Sequence, residues 1–172
     1  MSRGTKIVAI TTVALALAVV ALALLNRDGA AERKAMQDRG AFLVKQGELL
    51  LTVTMDDIED AGVRAVDANY KTNLMPPELK KYTGVALGSL LDFLGVDCSE
   101  AKSVSFSAAD GYVTTASISD ALDEDNCLIV FEEAGKPLGT RESGGVGPYM
   151  VIFANDRFSQ RWCKYLLEIA VN

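Results

Sequence analysis

Residues 127–138 read CLIVFEEAGKPL: five apolar positions, two carboxylates and a Gly-Lys-Pro turn. A run this short, rich in Ile, Val and Phe and closed by turn residues, is the signature of a buried strand. The stretches on either side follow the same pattern. Upstream, residues 104–108 and 112–116 form two short strands joined at Ala109-Asp110-Gly111, an Asp-Gly hairpin signal. Before them, Leu87, Leu90, Leu91 and Leu94 fall at i, i+3, i+4 and i+7, so residues 86–94 make an amphipathic helix, and Gly95 stands where a helix-ending glycine belongs. Residues 48–53 (ELLLTV) read as a strand, and Thr54 with Asp57 has the spacing of a capping box at the start of a short helix. Residues 63–69 read as a second strand, and residues 73–80, with Pro76-Pro77, as a loop. Downstream, residues 139–148 hold four glycines and a proline, a long loop. Residues 149–154 and 161–171 are the last two strands expected. Short strands, few helices and much loop make the class α+β.

Further toward the amino terminus the composition changes. Residues 7–25 are 19 consecutive positions in which only Thr11 and Thr12 are polar, preceded by a basic segment, 1–6, with Arg3 and Lys6. As a helix this run is about 28 Å long, close to the hydrocarbon thickness of a bilayer. It exceeds the apolar core of a cleavable signal, and the small-residue site beyond it, Gly29-Ala30-Ala31, is weak, so an uncleaved transmembrane signal anchor is expected. Basic residues flank both ends nearly equally, so an extracytoplasmic domain rests on the usual arrangement of an amino-terminal anchor followed by one domain. Residues 26–46 read as a juxtamembrane stalk and residues 47–172 as the domain.

The sequence has no histidine, which removes Ser-His-Asp and Cys-His nucleophiles and histidine-ligated metal sites in their usual forms. Net charge is −6 for the chain, and from Ala35 onward 12 basic and 21 acidic residues give −9, which argues against a nucleic-acid partner. The three cysteines, Cys98, Cys127 and Cys163, form no C-x-x-C pair and read as buried thiols. Cys163 alternates with Tyr165, Leu167, Ile169 and Val171 on a face expected to point into the core.

The order of these motifs resembles the sulfite-oxidase-type, molybdopterin-binding oxidoreductase domain. Tyr82-Thr83-Gly84-Val85 leads into the leucine helix as that family's aromatic-x-G-V turn does. Residues 104–112 match its strand ending in D-G-Y, and residues 127–138 its strand followed by G-x-P-L. Residues 144–150 are similar to its glycine-rich loop before G-P, and Lys164-Tyr165 stands at its basic-aromatic pair. The resemblance implies a sulfite-oxidase-like fold and a pterin-type cofactor. It also implies a molybdenum-ligating cysteine before the aromatic-x-G-V turn. Here that segment, Val66-Asp67-Ala68-Asn69-Tyr70, has none, and neither Cys98 nor Cys127 stands at the position. Molybdenum is therefore not expected, because oxygen donors from Asn or Tyr do not replace a soft thiolate.

Candidate ligand-binding residues come from three places. Between residues 141 and 164, Arg141, Arg157, Arg161 and Lys164 against Glu142 and Asp156 give a local +2. Arg141, Ser143, Gly144 and Gly145 belong to a loop whose amides could surround an anion. On a strand Trp162 and Lys164 share one face, with Arg161 on the other, so a flat ligand could stack on Trp162 beside a cation. The resemblance adds Asn69, Tyr70 and the hairpin residues Asp110 and Tyr112, where a carboxylate suits the amino-imino edge of a pterin. Glu132 and Glu133 face opposite ways on a strand and are not expected to work jointly. The combined expectation is a membrane-anchored, extracytoplasmic domain that binds a pterin or similar planar anionic ligand and senses it or presents it to a membrane-protein partner. A molybdopterin-dependent oxidoreductase with a non-cysteine metal ligand, and a structural interaction module with no ligand, are the alternatives.

Overall fold

A computed structural model describes residues 3–73 and 76–172 and, along the first helix, the side chains of residues 10–21, 29 and 31–38. The chain divides into two units, residues 1–35 and 36–172. The first consists of α1 (Arg3–Asp38) as far as Ala35. Its described apolar side chains are exposed, Ile10, Leu15, Leu17 and Val20 among them. The expected anchor run 7–25 lies partly outside the residues with described side chains, and among the described residues no helix is long and apolar enough to cross a membrane. The structure thus supports the α+β part of the expected fold, while the described residues give no support to the transmembrane helix.

The second unit is built on two five-stranded sheets. One has β2 (Leu49–Val53), β1 (Phe42–Gln46), β10 (Leu166–Val171), β5 (Ser103–Ala108) and β6 (Val113–Ser117), in that spatial order. Its β1–β10 pair is parallel and the other pairs are antiparallel. The other sheet runs β3 (Arg64–Tyr70), β4 (Glu78–Ala86), β7 (Cys127–Glu133) and β8 (Lys136–Pro137), with β9 (Met150–Phe153) also paired to β7. The inner faces of the two sheets meet: Phe106 of β5 touches Phe153 of β9, with ring centres 5.9 Å apart. An edge-to-face pair at 5.1 Å joins Phe42 to Tyr149. Helices α2 (Met55–Asp60), α3 (Leu87–Phe93) and α4 (Ile118–Leu122) are short.

Local signals in the sequence translate directly into structure. Asp57 accepts hydrogen bonds from the Thr54 backbone and hydroxyl at 2.8 Å, closing the start of α2 as its spacing predicts. Leu87, Leu90 and Leu91 are fully buried, and Gly95 follows the end of α3. Three expectations change. Residues 42–46, read from sequence as the end of the stalk, form β1, with Phe42 and Val44 wholly buried. Their parallel partner β10 comes from the far end of the chain, so no local pattern announces them. The aromatic-x-G-V segment lies in strand β4, which begins inside the stretch read as a loop. The last strand starts at Leu166, not 161: residues 159–161 make a 3-10 turn, Cys163 bridges to Val151, and Tyr165 adopts φ 54°. That kink, with a bulge between Leu166 and Glu168, breaks the expected alternation and buries Leu166 in place of Leu167.

Candidate functional site

A cleft of about 310 Å³ opens where three segments distant in sequence converge. Tyr70 and Thr72 come from the end of β3, Asp110 and Tyr112 from the β5–β6 hairpin, and Ser159, Gln160, Trp162 and Lys164 from the 3-10 turn and its exit. The volume is at the small end of ligand sites, which run from roughly 300 to 1,000 Å³. Each segment is held by its own contacts. Asp110 accepts from the Tyr112 amide at 3.0 Å, which fixes the tip of the hairpin. The Tyr112 hydroxyl donates to the Gln160 carbonyl at 2.8 Å and ties hairpin to turn. The Ser159 hydroxyl donates to the Lys71 carbonyl at 2.8 Å and ties turn to β3.

Trp162 forms the cleft's inner wall. It is 4% exposed, donates from Nε1 to the Phe153 carbonyl at 3.2 Å and packs against Tyr70 and Tyr82. At 4% exposure, and with tilted and edge-to-face contacts to those rings, it offers little surface for the stacking expected beside Lys164. Tyr112, 40% exposed at the cleft, is the more open aromatic surface.

The charges divide into locked and unlocked groups. Arg161 does not line the cleft, although it ends a 3-10 turn and is not on the strand the sequence suggested. Its guanidinium takes both Asp156 oxygens at 2.5 and 2.7 Å and one from Asp120 at 3.0 Å, and lies 4.0 Å over the Phe153 ring. These carboxylates raise its pKa, and the group braces the 3-10 turn instead of binding a ligand. Lys80 is held by Glu133 at 2.6 Å. Lys164 differs: among the described residues it has no ion pair, and its ammonium lies 5.8 Å from the Tyr70 ring centre.

The structure therefore gathers Tyr70, Asp110, Tyr112, Trp162 and Lys164 and leaves the other candidates out. Asn69 is exposed and does not line the cleft, because successive strand residues face opposite ways. The glycine-rich loop is tied to its own base. Ser143 donates to the Thr140 carbonyl at 2.8 Å, and the Tyr165 hydroxyl donates to the Gly145 carbonyl at 3.1 Å. Arg141 lies 5.9 Å over the Tyr165 ring, and Gly144 is exposed at φ 78°. A Cβ on Gly145 would come within 2.1 Å of the Leu138 carbonyl oxygen, so this glycine is there for close chain packing. Thr72, Ser159 and Gln160 were missed; nothing in their sequence context marks them, and they reach the cleft only through the fold.

No thiol lines the cleft. Cys127 and Cys163 are wholly buried, and burial raises both thiols, Cys163 to about 12. Cys98, half-buried beside α3, is raised by burial first and by Asp97 second. All three are thus held in the thiol form near neutral pH. Cys163→Ser is expected to cost about 1–3 kcal/mol, because it sets a hydroxyl in an apolar site. Cys98→Ser should change stability by less than about 0.5 kcal/mol. Urea denaturation separates them, and equal effects would refute the buried-thiol reading.

Against known proteins, no curated protein matches the sequence. The fold is similar to the crystal structure of the sulfane dehydrogenase SoxCD from Paracoccus pantotrophus, with a TM-score of 0.63 and 17% identity over 78% of this chain. The match covers 38% of that chain, and at this identity the likeness is one of fold. The family model described as "Oxidoreductase molybdopterin binding domain" matches residues 77–172, from the start of β4 through the hairpin, the glycine-rich loop and the basic-aromatic pair. With more than half of its length matched in this way, the chain belongs to the oxidoreductase molybdopterin binding domain family.

Proposed function

We propose that the chain is a membrane-anchored, extracytoplasmic domain that holds a pterin or similar planar anionic ligand in the cleft, sensing it or presenting it to a membrane-protein partner. The observation that carries this reading is Lys164, a half-buried lysine without an ion pair among the described residues, its ammonium beside a tyrosine ring at the cleft. A cation partly withdrawn from water and without a protein partner gains from an anion, which a ligand's phosphate or other anionic group would supply. The Asp110 carboxylate, at the same cleft, can accept two hydrogen bonds from an amino-imino edge. Tyr112 and Tyr70 give apolar contact, while Trp162 closes the inner wall. These donors suit a pterin ring. They offer no thiolate to a metal that needs one from the protein, since the three thiols lie outside the cleft.

Lys164→Ala is expected to weaken binding of a reduced pterin by about 1.5–3 kcal/mol, the range for hydrogen bonds to charged groups. Its folding stability should stay within about 0.5 kcal/mol of the parent. Arg141→Ala, outside the cleft, should bind as the parent does. Calorimetric titration of the purified full chain checks both, and an unaffected Lys164→Ala would sink the cleft as the ligand site. Mass spectrometry of molecules released from the natively purified protein, with metal analysis, tests the ligand class. Stoichiometric molybdenum would restore the oxidoreductase reading, which the family membership also accommodates.

The anchor is supported by 19 nearly unbroken apolar residues after a basic segment and by the exposed apolar side chains along α1. External protease acting on spheroplasts should degrade the domain and leave a membrane-held fragment containing residues 7–25. Protection that lasts until the membrane is permeabilised would overturn the orientation.

A further inference from the structure

A second concave surface, a groove of about 330 Å³, shares no residue with the cleft. Its floor is apolar, made by Met55 of α2, Phe131 of β7, and Pro137 and Leu138 at the entry to the glycine-rich loop. Two carboxylates, Glu59 and Glu132, stand on it. Phe131 and Glu132 are consecutive and should face opposite sides of β7, yet both line the groove. The cause is a register shift: Thr83 pairs with Glu132 and Gly84 with Val130, so Phe131 is the extra residue of a bulge. Bulges re-aim side chains and recur beside functional surfaces.

The carboxylates lack counter-charges. Among the described residues neither Glu59 nor Glu132 has an ion pair, although Glu132 is half-buried. The neighbouring Glu133–Lys136 pair occupies the other face of the β7–β8 hairpin, and Glu133 is bound to Lys80. Helix α2 adds Asp56, Asp57 and Asp60 and carries no basic residue. An apolar floor with unneutralised carboxylates is complementary to a cation carried next to an apolar side chain. We infer that this groove docks a short segment of a partner protein that carries lysine or arginine next to apolar side chains. The carboxylates would hold the cations while the floor takes the apolar side chains.

The test uses fluorescence anisotropy of the full chain in a zwitterionic detergent, with detergent alone as the blank. The probe is a labelled Lys-Leu-Lys-Leu tetrapeptide amide, with Lys-Gly-Lys-Gly and Glu-Leu-Glu-Leu as comparison peptides. The lysine-leucine probe should bind about tenfold more tightly than either comparison. The double variant Glu59→Gln/Glu132→Gln should weaken it about fivefold or more, while Asp67→Asn/Glu100→Gln, exposed and outside the groove, stays within about twofold. Equal losses in the two variants would reduce the effect to overall charge and overturn the inference. Tight binding of the lysine-glycine peptide would remove the apolar floor from it. A concentration-dependent dimer that the Glu59→Gln/Glu132→Gln variant abolishes would assign the groove to a second copy of the chain instead.

Discussion

Trp162→Ala is expected to lower folding stability by about 3–5 kcal/mol and to open the inner wall of the cleft. The indole is 4% exposed, meets Tyr70 at 5.7 Å and Tyr82 at 5.8 Å between ring centres, and hydrogen-bonds the Phe153 carbonyl. Truncation removes the largest side chain joining β3, β4 and the 3-10 turn, and leaves that carbonyl with the Asp156 amide but without the indole donor. The surrounding strands are fixed by their ladders and can collapse only partly into the void, which keeps the cost high. Trp162→Phe keeps most of the volume and should cost about 1–2 kcal/mol, from the lost hydrogen bond and a smaller gap. Urea denaturation followed by far-ultraviolet circular dichroism measures both. A loss under about 1 kcal/mol for the alanine variant would mean that the wall is not part of the core.

Gly84→Ala should cost about 3 kcal/mol, at the upper end for overpacking. The added Cβ would lie 2.2 Å from the Ile129 carbonyl oxygen and 2.7 Å from the Val130 Cα. Both obstacles are backbone in the partner strand β7, so no side chain can rotate out of the way. Gly84 sits at the register shift between β4 and β7, and relief would require separating two strands whose faces are buried. The same bulge turns Phe131 into the groove beside Glu132, so the variant should disturb that surface along with stability. Thermal unfolding checks the first effect, and the lysine-leucine probe the second. A variant as stable as the parent would show that β4 and β7 can move apart at this point.

Local chemistry made much of the fold legible. The run CLIVFEE became β7 with its ends at the expected residues, because an apolar, β-branched stretch closed by turn residues has few alternatives. Leucine spacing marked α3, and Asp110-Gly111 marked the β5–β6 hairpin. The absence of histidine, and of cysteine around Tyr70, narrowed the chemistry before any coordinate was known. These are statements about composition and about neighbours within a few residues.

What the tertiary structure alone decided was which charged residues meet, since that depends on pairings between distant segments. β1 looked like the end of a stalk because five residues with Lys45 and Gln46 carry little pattern, and it is a strand only beside β10. Arg141, Arg161 and Lys164 look alike in sequence. Packing separates them: Asp156 and Asp120 claim Arg161, Arg141 stays over Tyr165, and Lys164 remains without an ion pair at the cleft among the described residues. Sequence determined β7, α3, the α2 cap and the β5–β6 hairpin because those follow from local periodicity and residue chemistry. The cleft required the fold, because its walls come from residues 70–72, 110–112 and 159–164, brought together by sheet pairing and by bonds such as Tyr112 to Gln160 across 48 positions.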